Sequence, residues 1–197
     1  MSFLEKFDTD YRHLLLQRAT GFRVMFELLE YMEASHYRIL ETGSLRLLDN
    51  WAGDGQSTRL FDAFVNFHNG VVFSVDINPA VIAVARSTVS SRTHCVCSDS
   101  VKFLNDFAAM TGGCCGFDLI YLDSFDLDLD NPGPSAFHHV KELMAVGRLK
   151  PGTIVAVDDN LVIDGRSIGK GNLVEAYFAN IDVPLIYNGY QKVWRVP

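Results

Sequence analysis

Glu41-Thr42-Gly43-Ser44, then Gly53-Asp54-Gly55-Gln56-Ser57-Thr58, then Val75-Asp76-Ile77-Asn78 form the stretch on which the reading of the fold turns. The first piece ends an apolar strand. The second is a glycine-rich turn that opens a helix, and the third ends another apolar strand in an acid. Glycines let backbone approach a ligand closely, and an acid at the end of the second strand can accept both hydroxyls of a ribose. Strand, glycine turn, helix, strand and acid in that order predict an adenosine-containing ligand held at the edge of a parallel sheet.

Working outward, residues 2–35 read as helical. Leu14, Leu15, Phe22, Met25, Leu28, Leu29 and Met32 keep one apolar face at a period near 3.6, with Gly21 the expected break. Strands are then expected over 38–42, 71–75, 94–97, 117–122 and 153–157. They alternate with helices over 56–68, 79–88, 99–109, 134–149 and 170–180, Pro79 suiting a first helical turn and Asp99 or Ser98 a cap. Asn188-Gly189 between the apolar runs 184–187 and 192–196 signals a hairpin. The fold class is therefore α/β in three layers: a seven-stranded, mostly parallel sheet covered on both faces, closed by an antiparallel hairpin. One domain over 1–197 is expected, with an N-terminal helical cap (1–36) and an α/β core (37–197).

Composition excludes several classes. The chain has 197 residues, 48% apolar and 21% charged, as in ordinary globular proteins. A net charge of −7 with no basic run argues against a nucleic-acid partner, because phosphate contacts need clustered Lys and Arg. Neither a signal-peptide-like start nor a membrane-span-length apolar segment is present, so a cytoplasmic protein without a membrane partner is expected. Cys95, Cys97, Cys114 and Cys115 fit neither a zinc site nor mutual bridging, and are read as reduced thiols.

In this order and spacing the motifs resemble the class I S-adenosylmethionine-dependent methyltransferases, and within them the catechol and caffeoyl-coenzyme A O-methyltransferase group. The resemblance covers residues 38–197. Besides the pieces quoted above, Phe117-Asp-Leu-Ile-Tyr-Leu-Asp123 is similar to the family's fourth strand. Residues 149–160, ending Asp158-Asp159-Asn160, are similar to its fifth strand with a metal-binding Asp-Asn pair. The resemblance implies a Rossmann-like fold, S-adenosylmethionine as cofactor and methyl transfer to a small-molecule hydroxyl assisted by Mg2+ (or Ca2+ or Mn2+). There are two departures: residues 45–52 stretch the first motif by eight positions, and Asp126 stands near the place of the catechol group's lysine.

The implied cofactor residues are Glu41, Gly43, Gly53, Gly55 and Ser57 for the methionyl end, Asp76 and Ile77 for the ribose side, Asp99 and Ser100 for the adenine, and Asp123. Asp123, Asp159 and Asn160 are the implied metal ligands, with Asp158 as the alternative to Asp159, and Asp123 and Asp159 the implied catalytic acids. Hard oxygen donors of this kind suit magnesium or calcium. Asp126, Asp128 and Asp130 lack the glycine and glutamate of a calcium loop and read as a solvated loop. His138 and His139 read as surface or packing histidines, with a general-base role as the sharper alternative. His13, Tyr11 and Trp51 are candidate acceptor-pocket residues by aromatic character alone. Alternatives are a NAD(P)-dependent oxidoreductase or epimerase on a similar sheet, against which the missing Gly-x-Gly-x-x-Gly argues, or a non-catalytic S-adenosylmethionine-binding module. The N-terminal helices and final hairpin are candidate homodimer surfaces.

Overall fold

The computed structural model describes residues 2–54, 56–114 and 116–197. Strands apolar on both faces must be covered on both sides, and that requirement sets the architecture. Strands β1 (Tyr37–Thr42), β2 (Gly70–Asp76), β3 (Thr93–Cys97), β4 (Leu119–Leu122) and β5 (Ile154–Val157) pair in parallel. After β5 the chain makes a separate two-stranded ribbon, β6 (Asn160–Ile163) and β7 (Arg166–Gly169). It then returns as β8 (Leu185–Asn188) and β9 (Lys192–Arg195), which close the main sheet antiparallel beside β5. Among the described residues the main sheet has seven strands in the order β3-β2-β1-β4-β5-β9-β8, as the alternation predicts.

Side-chain alternation along the strands divides the core. Ile39, Val72, Leu119, Ile154 and Val193 face one side, where α1 (Phe3–Asp10), α2 (Ala19–Tyr31) and, past the short α3 (Trp51–Asp54), α4 (Ser57–Phe67) bring Phe3, Phe22, Phe26, Phe61 and Phe64. Leu40, Ile120, Val155 and Trp194 face the other side. The chain first passes through α5 (Pro79–Arg86); α6 (Ser100–Met110), α7 (Gly133–Ala145) and α8 (Asn172–Asn180) then cover that face with Leu104, Leu143 and Phe178. Each such buried side chain contributes about 1.5–3 kcal/mol. Among the described residues, no helix is long and apolar enough to cross a membrane, and Cys95, Cys97 and Cys114 are free.

Two expectations at the N-terminus and C-terminus need correction. The N-terminal helix breaks at 11–18, in two short 3-10 turns, rather than at Gly21. Gly21 lies inside α2 because a Cβ there would meet Gln191 Oε1 at 2.0 Å: the glycine serves close packing, not a turn. The β6–β7 ribbon was not expected either; its Asp164-Gly165 turn has both residues at positive φ, the conformation of a tight hairpin.

Pairing register places the functional edge. Thr42 pairs with Val75 and with Leu122, and Leu122 with Val157. The next residue of each strand path, Gly43, Asp76, Asp123 and Asp158, therefore stands at one level along the C-terminal edge, where open α/β sheets bind ligands.

Candidate active site

Gly43 leaves β1 at φ +82°, and a Cβ there would lie 2.5 Å from the Asp123 carbonyl oxygen. Only glycine allows the β1 turn and the end of β4 to approach this closely. Asp76 ends β2 with its Oδ2 accepting the Ser44 N–H (3.1 Å) and its Oδ1 accepting that of Asn78 (2.7 Å). Each oxygen keeps a second acceptor position for a ligand. Two lobes of one groove meet here, both lined by Asp76 and Ser124. The larger, about 360 Å³, is walled by Val75, Ile77 and Phe125, with Asp99, Ser100 and His138 as its polar groups. The smaller, about 150 Å³, is lined by Gly43, Ser57, Asp54, Asp123, Asp126 and Arg46 among others.

Of the residues predicted for the cofactor, Gly43, Ser57, Asp76 and Asp123 line the smaller lobe, and Asp76, Ile77, Asp99 and Ser100 the larger. Asp99 also caps α6, its Oδ1 accepting the Lys102 N–H at 2.8 Å. Gly55 lies outside the described residues. Gly53 does not reach either lobe: it is exposed inside α3, its N–H donating to Asn50 Oδ1 at 3.3 Å.

Glu41 also departs from its expected role. It is fully buried, its Oε2 accepting the hydroxyls of Thr58 (2.7 Å) and Ser74 (2.5 Å), while Oε1 has no partner. Burial pushes its pKa up to about 7 against the hydrogen bonds from Ser74 and Thr58. Glu41 is thus a core tie between β1, β2 and α4, not a group presented to a ligand's ammonium.

The 45–52 insertion does contribute. Arg46 pairs with Asp126 (2.9 Å) and Asp54 (3.3 Å), setting one guanidinium beside an otherwise acidic lobe. Asp128 and Asp130 stay exposed, Asp128 accepting the Asp130 N–H in a local turn. Tyr11 and Trp51 stack on each other at 5.7 Å and, with His13, lie outside both lobes.

Beyond Asp123, the ends of β4 and β5 gather Asp123, Asp158 and Asp159, with carboxylate oxygens within 4.8 Å of one another. Two cations from distant sequence meet them. Lys170, 1% exposed, bonds Asp123 Oδ1 and sits 2.7 Å from Asp159 Oδ2. Arg18 pairs with Asp158 at 2.8 Å and Asp159 at 3.1 Å, its guanidinium over the Tyr190 ring, while the Tyr190 hydroxyl donates to Asp159. Burial raises the pKa of Asp123 well above the usual carboxylate value, against the charge of Lys170. Asp159 is held below it: its burial is outweighed by Lys170, Tyr190 and Arg18.

The expected metal set does not form. Asn160 Oδ1 accepts the Gly171 N–H (2.9 Å), and its Nδ2 donates to the carbonyls of Val157 (2.8 Å) and Asp158 (3.1 Å). Its amide is spent on backbone, and the position between Asp123 and Asp159 holds an ammonium. These residues do not fit a divalent ion.

Lys170, Arg18 and Glu142 were missed by sequence reasoning. Glu142, 0% exposed, accepts hydroxyl hydrogen bonds from Thr42 (3.1 Å) and Ser124 (2.6 Å), with His138 Nε2 at 3.4 Å. Against the effect of burial, His138, His139, Ser100 and Ser124 hold its pKa below the ordinary value. A signal was available: Ser135, His138, His139 and Glu142 occupy i, i+3, i+4 and i+7 of α7, a polar stripe on a core-facing helix. His139 is fully buried, its Nδ1 against Ser135 O at 2.7 Å and Nε2 without a partner; burial pushes its pKa down to about 4. His138, by contrast, lines the larger lobe.

No family model and no curated protein matches the chain. Among solved structures it is similar to the METTL16 methyltransferase domain, at 10% identity and a TM-score of 0.54 over 92% of this chain and 68% of that one. It also resembles the fibrillarin pre-rRNA processing protein of Methanococcus jannaschii, at 12% identity and TM-score 0.48 over 83% and 68%. A third is a sarcosine dimethylglycine methyltransferase candidate from Galdieria sulphuraria, at 15% identity and TM-score 0.44 over 84% and 56%. The chain spans a little over half the length of that last protein. At such identities the likeness concerns the fold: the chain has the Rossmann-like fold of the METTL16 methyltransferase domain.

Proposed function

We propose that this chain is an S-adenosylmethionine-dependent methyltransferase acting on a hydroxyl of a small molecule. The observation that carries the reading is the Asp76 carboxylate at the end of β2, common to an apolar lobe of about 360 Å³ and an acidic lobe of about 150 Å³. That division matches a ligand with a flat aromatic base, a ribose diol and a charged amino-acid tail. Asp76 accepts the diol in a charge-assisted bidentate contact. Ile77 and Phe125 pack on the base, and Asp99, Ser100 and His138 offer it polar partners. Arg46 meets the tail carboxylate, and the surrounding aspartates complement its ammonium. When bound, S-adenosylmethionine supplies an electrophilic methyl group on a sulfonium. Asp123, at the floor of the small lobe, is placed to hold an acceptor hydroxyl and take its proton; aligning the two reactants is the larger part of catalysis here. The net charge of −7 and the acidic rim favour a small acceptor over RNA or DNA.

Calorimetric titration of S-adenosylhomocysteine tests the reading. The native protein is expected to bind it, and Asp76→Ala to weaken binding by at least about 30-fold, about 2 kcal/mol, in line with a lost charge-assisted pair. Absence of binding by folded native protein, with NAD binding in its place, refutes the assignment.

A further inference from the structure

We infer that Lys170 is the resident cation of the acidic centre, standing where a divalent metal would otherwise lie, and that the fold is built to keep it there. The inference rests on the proposed function only for what the centre serves; the cation's identity follows from geometry. Asp123 and Asp159 leave adjacent strand ends and aim their carboxylates at one point, and that point holds the Lys170 ammonium. An ammonium has three donors and no acceptor, so it can satisfy several carboxylates as a small metal ion does, without exchanging with solvent.

The segment carrying Lys170 is shaped for that position. It runs Gly169-Lys170-Gly171 between β7 and α8. A Cβ on Gly169 would lie 2.5 Å from Asn160 Oδ1 and 2.7 Å from Asn160 Cα; one on Gly171 would lie 2.8 Å from Asn160 Oδ1. Both glycines therefore allow the segment to lie flat on Asn160. Asn160 grips it in return, accepting the Gly171 N–H while its own amide donates to the end of β5. The Lys170 N–H donates to the Asp159 carbonyl at 3.2 Å. The residue expected as third metal ligand is instead the clamp that fixes the lysine's backbone.

Charge supports the same conclusion. Three carboxylates face two cations, Lys170 and Arg18, and Asp158 Oδ1 is buried without a partner. Removing the ammonium alone would leave Arg18 against three converging carboxylates, a donor set suited to a hard divalent ion. In this account Lys170 is a positioning residue: by holding Asp123 Oδ1 it fixes the direction in which the carboxylate faces the small lobe, and it makes the centre independent of metal.

The test is a Mn2+ titration followed by electron paramagnetic resonance, on native protein, Lys170→Ala and Lys170→Arg. Native protein and Lys170→Arg are expected to show no saturable site, and Lys170→Ala to gain one with a dissociation constant on the order of 10⁻⁴ M, lost again in Lys170→Ala/Asp123→Asn. Saturable Mn2+ binding by native protein that Asp123→Asn abolishes overturns the inference, as does folded Lys170→Ala that gains no site. If Lys170→Ala does not fold, the native titration decides alone, a site at Asp123 refuting and its absence supporting. S-adenosylhomocysteine titrated into the same native sample separates the two ideas: no binding there sinks the methyltransferase reading and leaves the Mn2+ result standing.

Discussion

Glu41→Gln should stabilise this protein, and only above about pH 5. In the fold the Glu41 carboxyl is buried without a cationic partner, with one oxygen unpaired, and its pKa is pushed from 4.5 up to about 7. The folded state therefore holds a proton that the unfolded chain releases. Stability from this group is fully present below pH 4.5 and declines as pH rises to about 7, because over that window folding takes up a proton. At about 1.36 kcal/mol per pH unit the interval amounts to about 3 kcal/mol. No discount for solvent applies, since Glu41 has no exposed surface. Glutamine preserves the shape and the acceptor for Thr58 and Ser74, resembling the protonated acid at every pH. Urea unfolding of native and Glu41→Gln proteins at pH 4 and pH 8 isolates the effect, since all other titrations cancel in the difference. The variant is expected to gain about 3 kcal/mol on the native protein between the two pH values. A difference that does not change with pH, or one that shifts in favour of the native protein as pH rises, would refute the argument and return Glu41 to the role of an ionised ligand contact.

Two further predictions concern groups around the same edge. His139 has the opposite sign: its folded pKa is depressed from 6.5 to about 4, so it contributes stability above pH 6.5 that is lost as pH falls towards 4, again about 3 kcal/mol. His139→Asn, which can keep the bond to Ser135, should lose that dependence in the same unfolding series, and an unchanged slope would show that His139 takes up protons alike in the folded and unfolded chain, refuting the depressed pKa. Gly43→Ala should lower the urea midpoint by the equivalent of about 2–3 kcal/mol, because a side chain at φ +82° also meets the backbone of Asp123; Gly165→Ala, at φ +73° in open space, should cost about 1 kcal/mol. Equal losses at the two glycines would mean that the contact between β1 and β4 is not tight.

The sheet was legible because its strands carry an unusually simple instruction. Leu119–Leu122 and Ile154–Val157 are buried on both faces and each is followed directly by aspartate, so the sequence marks both where the strand lies and where its apolar run ends. The N-terminal break and the β6–β7 ribbon were hidden for the converse reason. Gly21 looks like a breaker but answers to Gln191, 170 residues away, and the ribbon is mostly exposed, so its strands have no apolar alternation to announce them. At Gly21 the deciding contact is tertiary, and local pattern has no access to it.

The same distinction explains why the acids of the site were found and its cations were not. A strand end names its own aspartates: once β4 and β5 are neighbours, Asp123 and Asp159 must converge. Whatever neutralises them can arrive from anywhere, and here it arrives from residue 18 before the sheet begins and residue 170 after the ribbon ends. Converging carboxylates therefore predict that a cation is present but not whether it is a metal or an ammonium. The residue that decides is Asn160. Facing the carboxylates, it would add a hard oxygen to a metal set. Facing Gly171, as it does, it fixes the lysine in place, and the two glycines beside Lys170 are the only trace of that choice visible in the sequence.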